Sequence, residues 1–311
     1  MTHDDQAFDD ILQQAEQLGP LPMAVAHPCS REALMGAVES ADHGIARPIL
    51  IAPQVKLKKL AEELGVDLTR FETIDVPHSH AAAEQAVALV RDGYADILMK
   101  GSLHTDEFMT EVTARSSGIR TERRISHVFI MKVESYPRYL FITDAAINIE
   151  PDLTAKRDIC QNAIDLCHAL GIARPKVAIL SAVETINPEM RSTIDAAALC
   201  KMADRGQITG AILDGPLAFD NAISREAAAT KGIVSPVAGD PDILLVPDLE
   251  SGNMLAKQLS YLAAAASAGI VMGARVPIVL TSRADDSNGR LASTAVANLL
   301  AHGKQRRESL A

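Results

Sequence analysis

Three short apolar runs in the last third of the chain stop abruptly at residues that carry chemistry. Ile212-Leu213 leads into Asp214-Gly215-Pro216, Ile243–Val246 into Pro247-Asp248, and Pro277–Leu280 into Thr281-Ser282-Arg283. Runs of this length, separated by segments with helical periodicity, are parallel strands of an α/β sheet. In such sheets ligands bind in the crevice at the carboxyl ends of the strands. The residue types found at these ends bind or orient a ligand, so the block from Ala211 to Leu291 reads as one wall of an active site.

The alternation extends upstream. Strands are expected at Pro22–Ala26, Pro48–Ala52, Phe71–Val76, Asp96–Met99, Val128–Lys132, Tyr139–Thr143 and Pro175–Ser181. Helical periodicity covers Asp5–Leu18, the stretch from Ser30 to Ala41, Pro53–Leu64, Ala81–Asp92, Leu153–Leu170, Met190–Asp204, Met254–Ala266 and Leu291–His302. The run Ala263–Ala266 reads as a close-packed helix face. The seam between domains is expected at Asn148–Leu153. It separates a first α/β domain, 1–148, from a second, 149–288, with the C-terminal helix 289–311 returning to the first. A cleft between two such domains is a common place for a small-molecule site.

Aromatic residues make up only 3% of the 311 residues and Trp is absent, so Ala, Leu, Ile and Val must build the core. A formal net charge of -10 argues against a nucleic-acid or membrane-surface partner. It leaves room for an anionic small ligand held by local Arg and Lys. Cys29, Cys160, Cys167 and Cys200 form no CxxC pair and read as reduced thiols. The acidic first ten residues do not look like a signal peptide, and the apolar stretch Tyr261–Met272 is too short to span a bilayer. A cytoplasmic protein is expected.

No G-x-G-x-x-G follows a strand, and neither GxxxxGK[ST] nor GxSxG occurs, which removes the sequence support for a dinucleotide fold, a P-loop and a hydrolase elbow. Ser282-Arg283 after a strand is either an anion clamp, with the guanidinium fork facing phosphate or carboxylate oxygens, or an ordinary charged loop. Asp285 and Asp286 are either proton acceptors or caps of the last helix. At Glu250-Ser251-Gly252-Asn253 a helix begins; Gly252 permits close backbone approach, and Asn253 and Lys257 lie one turn apart. Ser251 or Asn253 serves equally well as a cap. Lys100-Gly101-Ser102 and Asp144 follow strands in the same manner, and Arg123-Arg124 are either an opposite wall or a solvated charge run. His78 and His80 have no carboxylate at a ligand-like spacing, and no metal is expected.

The strings DGPLAFDNAIS, KGIVSPVAGDPDILLVPDLESGNMLAKQL and GARVPIVLTSRAD, with MKGSLHT and FITDAAINIEPDL upstream, resemble the phosphate acetyltransferase/butyryltransferase family. SRAD together with FITDAAIN is closer to its butyryltransferase-like branch. The resemblance implies two α/β/α domains with mostly parallel sheets and an inter-domain cleft, similar to isocitrate and isopropylmalate dehydrogenases, usually in a homodimer. The implied reaction converts acyl-CoA and phosphate reversibly into acyl phosphate and CoA. Coenzyme A is then a substrate, and no metal or bound organic cofactor takes part. Ser282 and Arg283 would hold phosphate and stabilise the transition state while a carboxylate deprotonates the thiol of CoA. Lys100, Ser102, Asp144, Asp214, Gly215, Pro216, Gly252, Asn253 and Lys257 would line the substrates.

Two positions depart from the family pattern. Gly289 stands where the acetyltransferases carry their catalytic Asp, so Asp286 or a group from elsewhere would have to replace it. The helix DEFMTEV lacks the family's arginine. A catalytically silent acyl-CoA or phosphate-binding protein and a metal-dependent dehydrogenase of related fold are the alternatives. The acyl chain length is open.

Overall fold

The computed structural model describes residues 7–280 and 287–309. Among these residues the chain divides into two compact units, one running to residue 123 and resuming at 268, the other covering 124–267. No helix among the described residues is long and apolar enough to cross a membrane.

The first unit opens with α1 (Asp9–Leu18), β1 (Leu21–Ala26), α2 (Arg31–Asp42), β2 (Ala46–Ala52), α3 (Gln54–Leu64), β3 (Glu72–Asp75), α4 (Ser79–Arg91), β4 (Ile97–Lys100) and α5 (Thr105–Thr113). Met23, Leu50, Ile51, Ile97, Leu98 and Met99 on these strands are fully buried, as expected of a parallel sheet covered on both faces. Local chemistry sets the helix ends. Ser30 Oγ accepts from Ala33 N, and Gly65 closes α3 with φ +70°. His78 Nδ1 accepts from Ala81 N at 3.1 Å, so α4 begins two residues earlier than its apolar periodicity suggests. Strands β1 to β3 pair outward in order, and the chain then crosses back so that β4 lies on the other side of β1. The direction of winding therefore reverses between β1 and β4.

The second unit holds β5 (Ser126–Lys132), β6 (Tyr139–Thr143), α6 (Leu153–Ala169), β7 (Lys176–Leu180), α7 (Arg191–Asp204), β8 (Ile212–Leu217), α8 (Phe219–Ile223), α9 (Arg225–Thr230), β9 (Ile243–Leu245) and α10 (Leu249–Leu262). Its strand order is β5-β6-β9-β7-β8, with only the β5–β6 pair antiparallel. This corrects the expected seam at residues 148–153. The β5–β6 hairpin belongs with the second unit because β6 pairs directly with β9, Phe141 opposite Ile243 and Thr143 opposite Leu245. Strand β8 also differs from expectation, since it continues through Asp214-Gly215-Pro216 instead of stopping before them. A register shift between Ala178 and Leu180 accommodates that stretch. A side chain at Gly215 would meet the Ile179 carbonyl oxygen at 2.7 Å, which is why glycine stands there.

The chain returns to the first unit through β10 (Ala266–Met272), β11 (Ile278–Val279) and α11 (Ser287–Ser309). Here the helical reading of Met254–Ala266 is corrected. Helix α10 ends at Leu262, Ala264 takes φ +46°, Ala263 and Ala264 are exposed, and Ala266 already belongs to a strand. The Ala run favours helix locally, but the β-branched pair Ile270-Val271 is fully buried in the sheet, and burial outweighs propensities of a few tenths of a kcal/mol per residue. Strand β11 lies parallel to β4 and antiparallel to β10. Helix α11 packs on α1 and α2, where Asn298 Nδ2 donates to the carbonyls of Gly19 and Ile45.

Candidate active site

In the first unit the reversal of winding places a crevice outside the carboxyl ends of β1 and β4, the position where open α/β sheets bind ligands. Ala26 pairs with Lys100, so His27 and Gly101 are the next residues in register. The two turns are stitched together: Gly101 N donates to Ala26 O at 2.9 Å and Ser102 N to His27 O at 2.8 Å. The His27 ring completes the lock, with Nδ1 2.7 Å from the Ser102 carbonyl oxygen. A Cβ at Gly101 would lie 2.5 Å from the carbonyl oxygens of Ala26 and His27, so only glycine fits. Lys100 is buried at the strand end, with Nζ 3.4 Å from Gly101 O. Two expected site residues, Lys100 and Ser102, are therefore brought together here. Ser282, Arg283 and Asp286 lie outside the described residues.

In the second unit Asp144, Gly252 and Asn253 also converge. The buried Asp144 carboxylate accepts from Ala146 N, Ile147 N and Asn148 N at 3.0, 3.1 and 3.2 Å, and from Asn148 Nδ2 at 2.5 Å. Burial raises its pKa, with these four donors pulling the other way. The side chain is thus committed to its own loop. A Cβ at Gly252 would meet Val246 Cγ2 at 2.6 Å and Ala145 Cβ at 3.0 Å, so the first turn of α10 lies directly against that loop. Asn253 Nδ2 donates to Ala145 O. The cap of α10 is Asp248, whose Oδ1 takes Ser251 N at 2.8 Å, and not Ser251 or Asn253. Lys257, one turn on, is exposed.

Asp214, Gly215 and Pro216 are not part of this group, because β9 and β7 separate β8 from β6. Asp214 Oδ1 accepts from its neighbour Gly215 N. Arg124 is held rather than freely solvated: its Nε donates to Asn148 Oδ1 at 2.6 Å and its backbone N to Asp158 Oδ2. Asn148 and His27 are the two residues that sequence reading passed over. The signal for His27 was its place, with Pro28, at the end of the first strand; for Asn148 it was the spacing of four from Asp144.

Residues 78–298 match the family model described as phosphate acetyl/butaryl transferase. The chain is 62% identical over 294 residues to a phosphate acetyltransferase of Rhizobium meliloti, covering 94% of this chain and 93% of the other. It is 42% identical over 298 residues to a phosphate butyryltransferase of Clostridium acetobutylicum, covering 96% and 99%. Among solved structures, a branched-chain phosphotransacylase from Enterococcus faecalis V583 aligns with a TM-score of 0.80 at 30% identity, over 91% of this chain and 99% of that one.

Proposed function

Because the chain belongs to the phosphate acetyl/butyryl transferase family, we propose that its acyl group is a short one, acetyl before butyryl. It is a phosphate acyltransferase that moves an acyl group reversibly between coenzyme A and inorganic phosphate, with both as substrates. The observation that carries the choice of acetyl is 62% identity to an acetyltransferase against 42% to a butyryltransferase, each along nearly the whole chain.

Ser282 and Arg283 bind phosphate and stabilise the charge that develops on the carbonyl and phosphoryl oxygens as the tetrahedral centre forms and collapses. Lys100 and Ser102 supply a further cation and hydroxyl at the end of β4. The Gly252–Asn253 turn of α10 lets the backbone approach a substrate closely, with the exposed Lys257 as a cation for an anionic group on CoA. Asp144 shapes the loop on which Asn253 rests, and Asp214-Gly215-Pro216 shape the edge of the second sheet. The thiol proton goes to Asp286 or to a group supplied from elsewhere, given Gly289. The two units correspond to the α/β/α domains of the isocitrate/isopropylmalate dehydrogenase kind.

A cavity of about 630 Å³ runs along α10 from Ser251 to Ala263, lined by Leu255, Leu259, Leu262 and Phe219. With Tyr261, 76% exposed, and Leu262, 81% exposed, it forms an apolar face that suits a second copy of the chain. The homodimer is read from that face. The cytoplasmic location is read from four cysteines that are all free thiols.

The deciding experiment measures phosphate-dependent release of free thiol from acetyl-, propionyl- and butyryl-CoA, with Arg283→Ala alongside. Fastest release from acetyl-CoA, dependent on phosphate and lost in the variant, is expected. A folded wild type that releases thiol from none of them would falsify the transferase reading; a preference for butyryl-CoA overturns the acetyl assignment alone.

A further inference from the structure

The crevice between β1 and β4 contains an imidazole that no step above employs. His27 takes φ +55°, a left-handed conformation that a non-glycine residue keeps only where the surroundings impose it. What imposes it is the lock on Ser102, made across 75 residues of chain. A carbonyl oxygen only accepts, so Nδ1 must carry the hydrogen in its 2.7 Å contact with Ser102 O. That sets the tautomer: the lone pair of the neutral ring is on Nε2. Among the described residues Nε2 has no hydrogen-bond partner, yet it is not among the polar atoms sealed from solvent. A buried imidazole at a strand end, with one nitrogen held by a backbone carbonyl and the other unpaired, has the arrangement that proton abstraction requires.

We propose that His27 is the group that accepts the thiol proton of coenzyme A, the base from elsewhere that Gly289 calls for. This rests on the phosphate acyltransferase reading. The S–H proton passes to Nε2, and the sulfur electron pair forms the C–S bond at the acyl phosphate carbonyl carbon. The C–O bond to phosphate then breaks, with its pair leaving on oxygen. The imidazolium returns the proton to that oxygen, so acyl phosphate and thiol become thioester and hydrogen phosphate with the ring unchanged. In the reverse direction the same nitrogen takes the proton of attacking phosphate and delivers it to the departing thiolate.

Turnover of wild type, His27→Asn and His27→Ala is compared with acetyl phosphate and CoA. Asn keeps an N–H at the position of Nδ1 for the Ser102 carbonyl but has no basic nitrogen. Its kcat is expected to fall about 100- to 1,000-fold, the usual range for a general base, with both KM values within about threefold. Free imidazole should restore the Ala variant in a saturable way, which a purely structural role would not permit. A His27→Asn enzyme retaining more than about a tenth of wild-type kcat, or a folded Ala variant that imidazole fails to rescue, overturns the assignment while the transferase reading stands. A folded wild type with no turnover overturns both.

Discussion

Asn253 reaches across 108 residues of chain to donate its side-chain amide to the Ala145 carbonyl at 3.1 Å. The bond fastens the first turn of α10 to the loop that the Asp144 carboxylate organises, so the helix start and the end of β6 move as one piece. Asn253→Ala removes the donor. A net loss of about 1 kcal/mol in unfolding free energy is expected, with a larger effect on substrate KM than on kcat. Chemical denaturation and steady-state kinetics on the same preparation check both parts.

Asp144 carries more of the local structure. Removing its carboxylate in Asp144→Ala orphans three backbone N–H groups, each costing about 1–3 kcal/mol when left unsatisfied, and leaves the Asn148 amide with the Ile125 carbonyl as its acceptor. The Ala variant should therefore be several times more destabilised than Asn253→Ala. Asp144→Asn, which keeps an acceptor oxygen, should fall between them in a denaturant series.

Gly101 and Gly252 have no room for a methyl group, but for different reasons. At Gly101 the obstacles are two backbone carbonyl oxygens at 2.5 Å; at Gly252 they are chiefly the Val246 and Ala145 side chains. Side chains yield and backbones in a sheet do not. Gly252→Ala is expected to lose about 1–3 kcal/mol of stability and to regain part of it with Val246→Ala. For Gly101→Ala no side-chain truncation should help. Thermal melts of the single and double variants separate the two cases.

His127 is 1% exposed on β5, edge-on to Phe129 at 4.3 Å between ring centroids. Burial lowers its pKa from 6.5 to about 4. Between those values the unfolded chain binds a proton that the folded chain refuses, so stability falls as pH drops through that window and levels off below it. The loss is about 3 kcal/mol at most, at about 1.4 kcal/mol per pKa unit. His127→Phe should flatten this part of the stability–pH curve, measured by denaturant unfolding from pH 7 to pH 4.

Lys156 on α6 and Asp195 on α7 form a buried ion pair, Nζ to Oδ2 2.7 Å, with side chains only 6% and 9% exposed. Lys156→Met leaves a buried carboxylate with the exposed Arg191 3.6 Å away as its nearest cation. A loss of about 3–5 kcal/mol is expected, and Lys156→Met combined with Asp195→Leu should recover most of it. A double variant whose destabilisation equals the sum of the two single ones would show that the pair is not coupled.

Strands were legible where apolar runs ended within two residues of a Gly or Pro, as β1, β2, β4 and β9 did. Strand β10 was not, because alanine-rich sequence has no period of its own and the decision to pair was made by β11, which reaches it only after a turn. The resemblance reached the family because ordered strings survive over nearly the whole chain. It did not reach His27, whose significance is a hydrogen bond to a residue 75 positions away.

The sequence by itself determined the α/β alternation, the acidic composition, and the positions of the glycines and prolines. These are local properties, written in periods of two and 3.6 residues and in the backbone limits of Gly and Pro. The tertiary structure alone decided the strand order, hence that β1 and β4 are neighbours and that β8 is remote from β6. It also decided where the units divide and which polar groups are consumed by their own loops. Those outcomes depend on pairings between residues far apart in the chain, for which periodicity provides a face but no partner.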